Sequence, residues 1–241
     1  MLPSVVQHWA HVLNGLAITS EQIQRLNANM NAENLNVAID ILKNLNAYAP
    51  DIHEQPFLLD NLGLALCTRS RLSSSLEDVT TAISLHMKAR DLHQKDPHNY
   101  KISLNNLASA LLIRFQYGTH PDDLSQAISL LREVLELCPV PHRLRSISLS
   151  NLGNAMLTQF EQSGQIVDLD ESIFLHQSAV ESTPYGHPAL LSFLNNLGKS
   201  CVCHFKHAGD PQDSIRKMSD AYGRYIELSR LKGQLGNPPT I

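Results

Sequence analysis

"LNNLASALLIRF", residues 104–115, carries the reading of the whole chain. Leu104, Leu107, Leu111 and Phe115 fall at i, i+3, i+7 and i+11, the spacing that lines one stripe of an α-helix. The head of this stretch returns as "LDNLG" (59–63), "LSNLG" (149–153) and "LNNLG" (194–198). The leading leucines stand at 59, 104, 149 and 194, a step of 45 residues each time. Leu62, Leu107, Leu152 and Leu197 keep the same beat, and so do Asn61, Asn106, Asn151 and Asn196. Register held over three intervals marks a repeat array in which each unit is one supersecondary element.

A second motif trails the first: "TAISLHMKA" (81–89), "QAISLLREV" (126–134), "ESIFLHQSA" (171–179) and "DSIRKMSDA" (213–221). A small residue (Ala82, Ala127, Ser172 or Ser214) leads each Ile, and Ala89, Val134, Ala179 or Ala221 follows seven positions later. Leu124, Ala127, Ile128, Leu131 and Leu135 predict a helical stripe here too. From the Gly or Ala of the first motif to the small residue of the second the offset is 19 in three units and 16 in the fourth, so the fourth connecting loop is shorter. Asp168 with Glu171 forms a capping-box-like pair, and Asp210-Pro211 followed by Asp213 reads as another helix start. Pro97, Pro139, Pro141, Pro184 and Pro188 punctuate the return to the next unit. Each unit is therefore predicted to be a helix–loop–helix hairpin.

One such hairpin cannot bury both of its apolar faces, so neighbouring hairpins must stack. Gly63, Ala108, Gly153 and Gly198 occupy one register position in the first helices. Glycine inside a helix costs about 1 kcal/mol relative to alanine, so its recurrence there predicts a close approach between helices.

The pattern Leu-x2-Leu-Gly/Ala-x2-Leu, followed by Ala/Ser-x3-bulky-x2-Ala and then Pro, resembles the tetratricopeptide repeat (TPR). The ordinary TPR unit has about 34 residues; the longer unit here is similar to the TPR arrays of fungal and bacterial proteins that accompany a caspase-like CHAT protease domain, and to those of kinesin light chain. "LNNLASALLIRF" (104–115) and "LDESIFLHQSA" (169–179) carry this likeness, which covers residues 57–232. "LNGLA" (13–17) and "VAIDILKNL" (37–45) extend it toward the N-terminus. The resemblance implies an all-α fold, a right-handed α-solenoid of about five helix-turn-helix repeats. The expected units are 4–50, 51–97, 98–142, 143–187 and 188–232, forming one domain over 1–235 with a C-terminal tail at 233–241.

Composition narrows the functional classes. Apolar residues make up 43% and charged residues 17%, enough to build a continuous core, and the net charge of -4 comes with no basic stripe of the kind nucleic-acid binders carry. No apolar run is long enough for a membrane span, and "MLPSVVQHWAHVLNGLA" lacks the basic leader of a signal peptide. Four cysteines without framework spacing are expected to be reduced thiols in a cytoplasmic protein.

The tempting chemical cluster is "FLNNLGKSCVCHF" (193–205), with Cys201, Cys203 and His204, and His207 close behind. Register places Cys201 with Leu66, Leu111 and Met156 on the apolar stripe, where cysteine acts as a small hydrophobe. Cys201 and Cys203 project to roughly opposite sides of a helix, and no four ligands gather. His86 and His176 share the register of Leu131 and Met218 and read as buried, hydrogen-bonded histidines. His98, His142 and His187 read as turn residues. No phosphate loop, HExxH or nucleophile elbow is present, so the sequence predicts no enzyme activity, no metal and no cofactor.

The asparagine column has the stronger claim. In TPR solenoids the first helices line the concave groove, so the resemblance implies that Asn61, Asn106, Asn151 and Asn196 form a ladder along it, flanked by Asp60, Asn105, Ser150 and Asn195 and, one turn on, by Leu64, Ser109, Asn154 and Lys199. An amide both donates and accepts, which suits the backbone of an extended peptide. Alternatively, these amides bridge adjacent repeats and hold the superhelix together. The two-carboxylate clamp of chaperone-binding TPRs is not matched, since Lys199, Lys101 and Arg114 are the only cations in reach. The expected function is a protein-interaction scaffold holding a peptide or partner helix, with no nucleic-acid or membrane partner. The alternative is the sensor portion of a CHAT-type protease system whose catalytic domain lies outside this chain.

Overall fold

The computed structural model describes residues 32–48, 55–118, 120–184 and 186–208, and the single positions 216, 219 and 223. Every described element is an α-helix: α1 (Ala32–Tyr48), α2 (Gln55–Ser73), α3 (Leu76–Leu92), α4 (Pro97–Gln116), α5 (Asp123–Leu137), α6 (Arg145–Ser163), α7 (Ile166–Glu181) and α8 (Leu190–Ala208). "VAIDILKNL" falls on α1, whereas "LNGLA", most of "DSIRKMSDA" and the helix start at Asp210-Pro211 lie outside the described residues. The chain divides into two compact units between Leu130 and Leu131, within α5.

In the first unit α1 packs on α2, α2 on α3, α3 on α4, and α2 also reaches α4. That order, each helix against its neighbour and each first helix against the next first helix, is stacking of helical hairpins. The core runs through Leu58, Leu62 and Leu66 of α2, Val79, Ala82, Ile83 and Ala89 of α3, and Leu104, Leu107, Ala108 and Leu111 of α4. In the second unit α6 packs on α7, α7 on α8, and α6 reaches α8. Ile173, Leu190, Leu194, Leu197 and Cys201 make one cluster there, with Val180 against it.

The small residues of the second motif do what their spacing predicts. Ala82, Ala89, Ala127, Val134, Ser172 and Ala179 are all fully enclosed. The α5 stripe differs in detail from expectation. Its core runs through Leu124, Ala127, Leu131 and Val134, with Cys138 buried just past its end, while Ile128 and Leu135 are half-buried at its margins. The end of the helix thus faces inward through Val134, the i+3 position from Leu131.

Local chemistry sets the helix boundaries. Ser75 caps α3 by accepting the Asp78 N–H at 3.2 Å. Asp96 caps α4 by accepting the N–H groups of His98 and Asn99, with Pro97 at the first position; these bonds, led by those from Asn99, hold the Asp96 carboxyl below its usual range. Gly164 ends α6 with φ +68°, its N–H returning to the Phe160 carbonyl at 2.8 Å. Ser74, 90 residues earlier and so in the same register, adopts the same left-handed conformation at φ 54°. The capping-box reading of Asp168 is corrected: α7 begins at Ile166 behind Gln165, which places Asp168 in the first turn with a different task.

Candidate functional site

The first helices carry the candidate residues, and a repeated clamp fixes α2, α4 and α6 each to the helix that follows. Arg69 of α2 forks onto both carboxylate oxygens of Asp78 at the start of α3, each at 2.7 Å. Arg114 of α4 makes the same two 2.7 Å bonds to Asp123, the first residue of α5. In α6 the equivalent Gln159 donates to Asp168 at 2.8 Å, and Ser163 Oγ adds a second bond. The acceptor in each case sits at the positive end of a helix dipole. Bonding to the carboxylates raises the pKa of both arginines. This nine-residue spacing recurs on the 45-residue beat, so it was visible in the sequence as Arg/Gln followed by Asp and was missed.

The turns between hairpins are built alike. His142 Nδ1 accepts the Leu144 N–H ahead of α6, and His187 Nδ1 accepts the Ala189 N–H ahead of α8, both at 3.2 Å. These two histidines are turn residues with a capping role.

The close approach predicted from glycine is real, and its cause is histidine. A Cβ on Gly63 would stand 2.6 Å from His86 Cε1, and one on Gly153 would stand 2.7 Å from His176 Cε1. Both imidazoles are completely buried. His86 meets Asp60 at 2.7 Å, as a buried histidine should. His176 departs from that expectation: neither ring nitrogen has a hydrogen-bond partner, and burial, followed by the field of Lys199, lowers its pKa to about 4.

The amide candidates separate by register. Position 64/109/154/199 stays accessible in all four first helices: Leu64, Ser109 and Asn154 are half-buried and Lys199 is exposed. Asn61 and Asn151 are half-buried, so on α6 Asn151 and Asn154 lie one turn apart on a single accessible stripe. Asn106 is 5% exposed and Asn105 4%, both in the interior of the first unit. Asp60 and Ser150 are likewise buried, whereas Asn195 is exposed. Asn196 is half-buried and its amide donates to Ser150 Oγ at 3.1 Å, joining α8 to α6. The column therefore contains residues open to solvent and residues engaged in packing between first helices.

The cysteine–histidine cluster does not assemble. Cys201 is fully enclosed, and His204 pairs with Asp170 at 3.3 Å. The Cys203 thiol lies 3.8 Å from His207 Nδ1, but that nitrogen also bonds the Cys203 carbonyl at 2.8 Å. Burial raises the Cys203 pKa and pushes Cys67 up to about 12. A raised pKa keeps a thiol protonated and unreactive. Among the described residues no group of three or more His, Cys, Asp or Glu could hold a metal ion, and no helix is long and apolar enough to cross a membrane. A depression of about 1160 Å³ in the second unit is lined by residues that include Phe160, Asp170, Cys203 and His207, and of the amide-column candidates it takes in only Lys199.

No protein-family model matches the chain, and no curated protein matches its sequence. Its backbone does match solved structures. One is the crystal structure described as "Podosopora anserina putative kinesin light chain nearly identical TPR-like repeats"; it is 16% identical, covers 89% of this chain and 96% of its own, and superposes with a TM-score of 0.55. Another is BtubC (BKLC) from P. vanneervenii, 16% identical, covering 96% of this chain and 84% of its own with a TM-score of 0.50. The 45-residue hairpin register, the enclosed small residues and these two backbones agree: the chain has the TPR-like, all-helical solenoid fold.

Proposed function

We propose that the chain is a protein-interaction scaffold that holds an extended peptide or a partner helix against its first helices, without a covalent step. The observation that carries this reading is the accessible register of those helices, where Leu64, Ser109, Asn154 and Lys199 follow one another 45 residues apart beside the half-buried amides of Asn61 and Asn151. Amides at a fixed interval can pair with a peptide backbone of any sequence. The four different side chains beside them would then read the peptide's own side chains, and Lys199 would favour an acidic one. Asn196 serves the alternative role, tying α8 to α6, Asn105 and Asn106 are buried away from a ligand, and Asn195 joins Lys199 on the exposed side of α8.

A displayed library of random peptides, selected on the immobilised intact chain, tests this. The enriched peptides are expected to bind Asn151→Ala/Asn154→Ala at least ~10-fold more weakly, about the loss of one or two good hydrogen bonds. The helical circular dichroism should stay unchanged. Equal affinity for the intact chain and the double variant would end the proposal.

A further inference from the structure

Asp60, His86, His93 and Ser103 form a chain of hydrogen bonds inside the first unit, where α2, α3 and α4 meet. None is more than 6% exposed. Ser103 Oγ donates to Asp60 Oδ2 at 2.5 Å, Asp60 Oδ1 lies 2.7 Å from His86 Nδ1, and His93 Nδ1 lies 2.9 Å from Ser103 Oγ. A serine hydroxyl has one proton to give. Ser103 gives it to Asp60, so His93 Nδ1 is the donor to Ser103, and facing a carboxylate His86 Nδ1 is a donor too. The Nε2 atoms of both histidines are buried and without a partner. Two lines of donors thus end on one carboxylate.

A further proton finds no place in this arrangement. On Asp60 it would oppose a donor already in place, and His86 or Ser103 would have to turn away. On either Nε2 it would create a buried N–H with no acceptor. The surrounding charges relieve it only in part. Asp60 and Asp96 are the carboxylates whose fields reach His93, whose ring also meets the edge of Phe57 with centroids 5.0 Å apart. Arg69 on α2, Arg90 on α3 and Arg114 on α4 are closed on Asp78, Asp91 and Asp123. On α1, packed against α2, the charged residues are Glu33, Asp40 and Lys43, and Asp40 acts on Arg69. On α4, Tyr100 and Lys101 lie within a turn of Ser103.

The fold does not require this cluster. Register positions 60, 63 and 86 hold Asp, Gly and His, but the next repeat fills the same positions with Asn105, Ala108 and Leu131, all buried. We propose that the Asp60–His86–Ser103–His93 chain is a proton-responsive latch, which joins α2 to α4 at neutral pH and loosens that repeat boundary on acidification. Burial lowers the pKa of His93, against smaller raising effects of Asp60 and Asp96. The folded state therefore resists protonation there, and stability falls as pH drops below the ordinary imidazole value.

The test compares the full chain with Asp60→Asn/His86→Leu/His93→Cys, which removes the carboxylate and both imidazoles and takes the buried residues that the next repeat holds at those registers, Asn105, Leu131 and Cys138. Between about pH 7.5 and about pH 5, across the range where imidazoles titrate, the unaltered chain is expected to lose at least ~3 °C more in melting temperature than the triple variant. His176 titrates in both proteins and cancels in the difference. Parallel melting curves across this range would overturn the latch. Should the triple variant not fold, Ser103→Ala decides by NMR of the imidazole resonances. The His93 midpoint is expected to move by ~0.5 pH unit or more while His176 stays, and an unmoved His93 midpoint overturns the proposal.

Discussion

His176 sits under Gly153 in a space with no room for a methyl group and no partner for either nitrogen. Its folded pKa of about 4 lies below the ordinary value of 6.5, so the unfolded chain binds the proton first. Its contribution to stability is complete above 6.5 and is lost as pH falls toward 4, about 3 kcal/mol in all. Denaturant titrations at a series of pH values should show this slope, and His176→Leu paired with Gly153→Ala should remove it. Alone, Gly153→Ala drives a Cβ into the ring and should destabilise by about 1–3 kcal/mol; the added His176→Leu should recover most of that, because position 131 already holds a buried leucine in the same register. The need for glycine was legible in the 45-residue column. That histidine imposed it was not, because the facing residue lies 23 positions away and only packing pairs them.

At the scale of the helix, α2 and α3, α4 and α5, and α6 and α7 are each joined by one polar clamp. Arg114 and Asp123 are largely enclosed, with side chains 16% and 2% exposed. Arg114→Ala should cost about 3 kcal/mol in urea unfolding, because it strands a buried carboxylate. Arg114→Gln should cost much less, since Gln159 makes the same bond to Asp168 in another repeat. Equal losses for the two variants would show that charge, rather than the hydrogen bond, closes the loop. Ser74 offers a gain: it holds φ 54° where Gly164 holds 68° in the same register. Ser74→Gly relieves a strain of about 1 kcal/mol and should raise the melting temperature by a few degrees.

Over the whole chain, stability should be distributed by neighbourhood. In stacked repeats each hairpin touches mainly the next, so damage stays local. Leu194 is at the centre of the second unit's cluster, and Leu194→Ala should cost about 2–5 kcal/mol there. Hydrogen exchange is expected to accelerate in α6–α8 while α2–α4 keep their protection. A uniform acceleration would mean that the chain unfolds as one cooperative body.

The sequence by itself determined the helical hairpin, its 45-residue period, the buried leucines and the enclosed small residues. Those follow from periodicity and steric size, which are properties of residues close in the chain. It also placed Cys201 in the core. Only the tertiary structure decided which amides stay accessible and which are buried, since Asn106 and Asn151 are the same residue in the same register. Only it joined Asp60 to Ser103, 43 residues apart. Hydrogen-bond geometry is a matter of distance and direction between helices, and no spacing along a single helix encodes it.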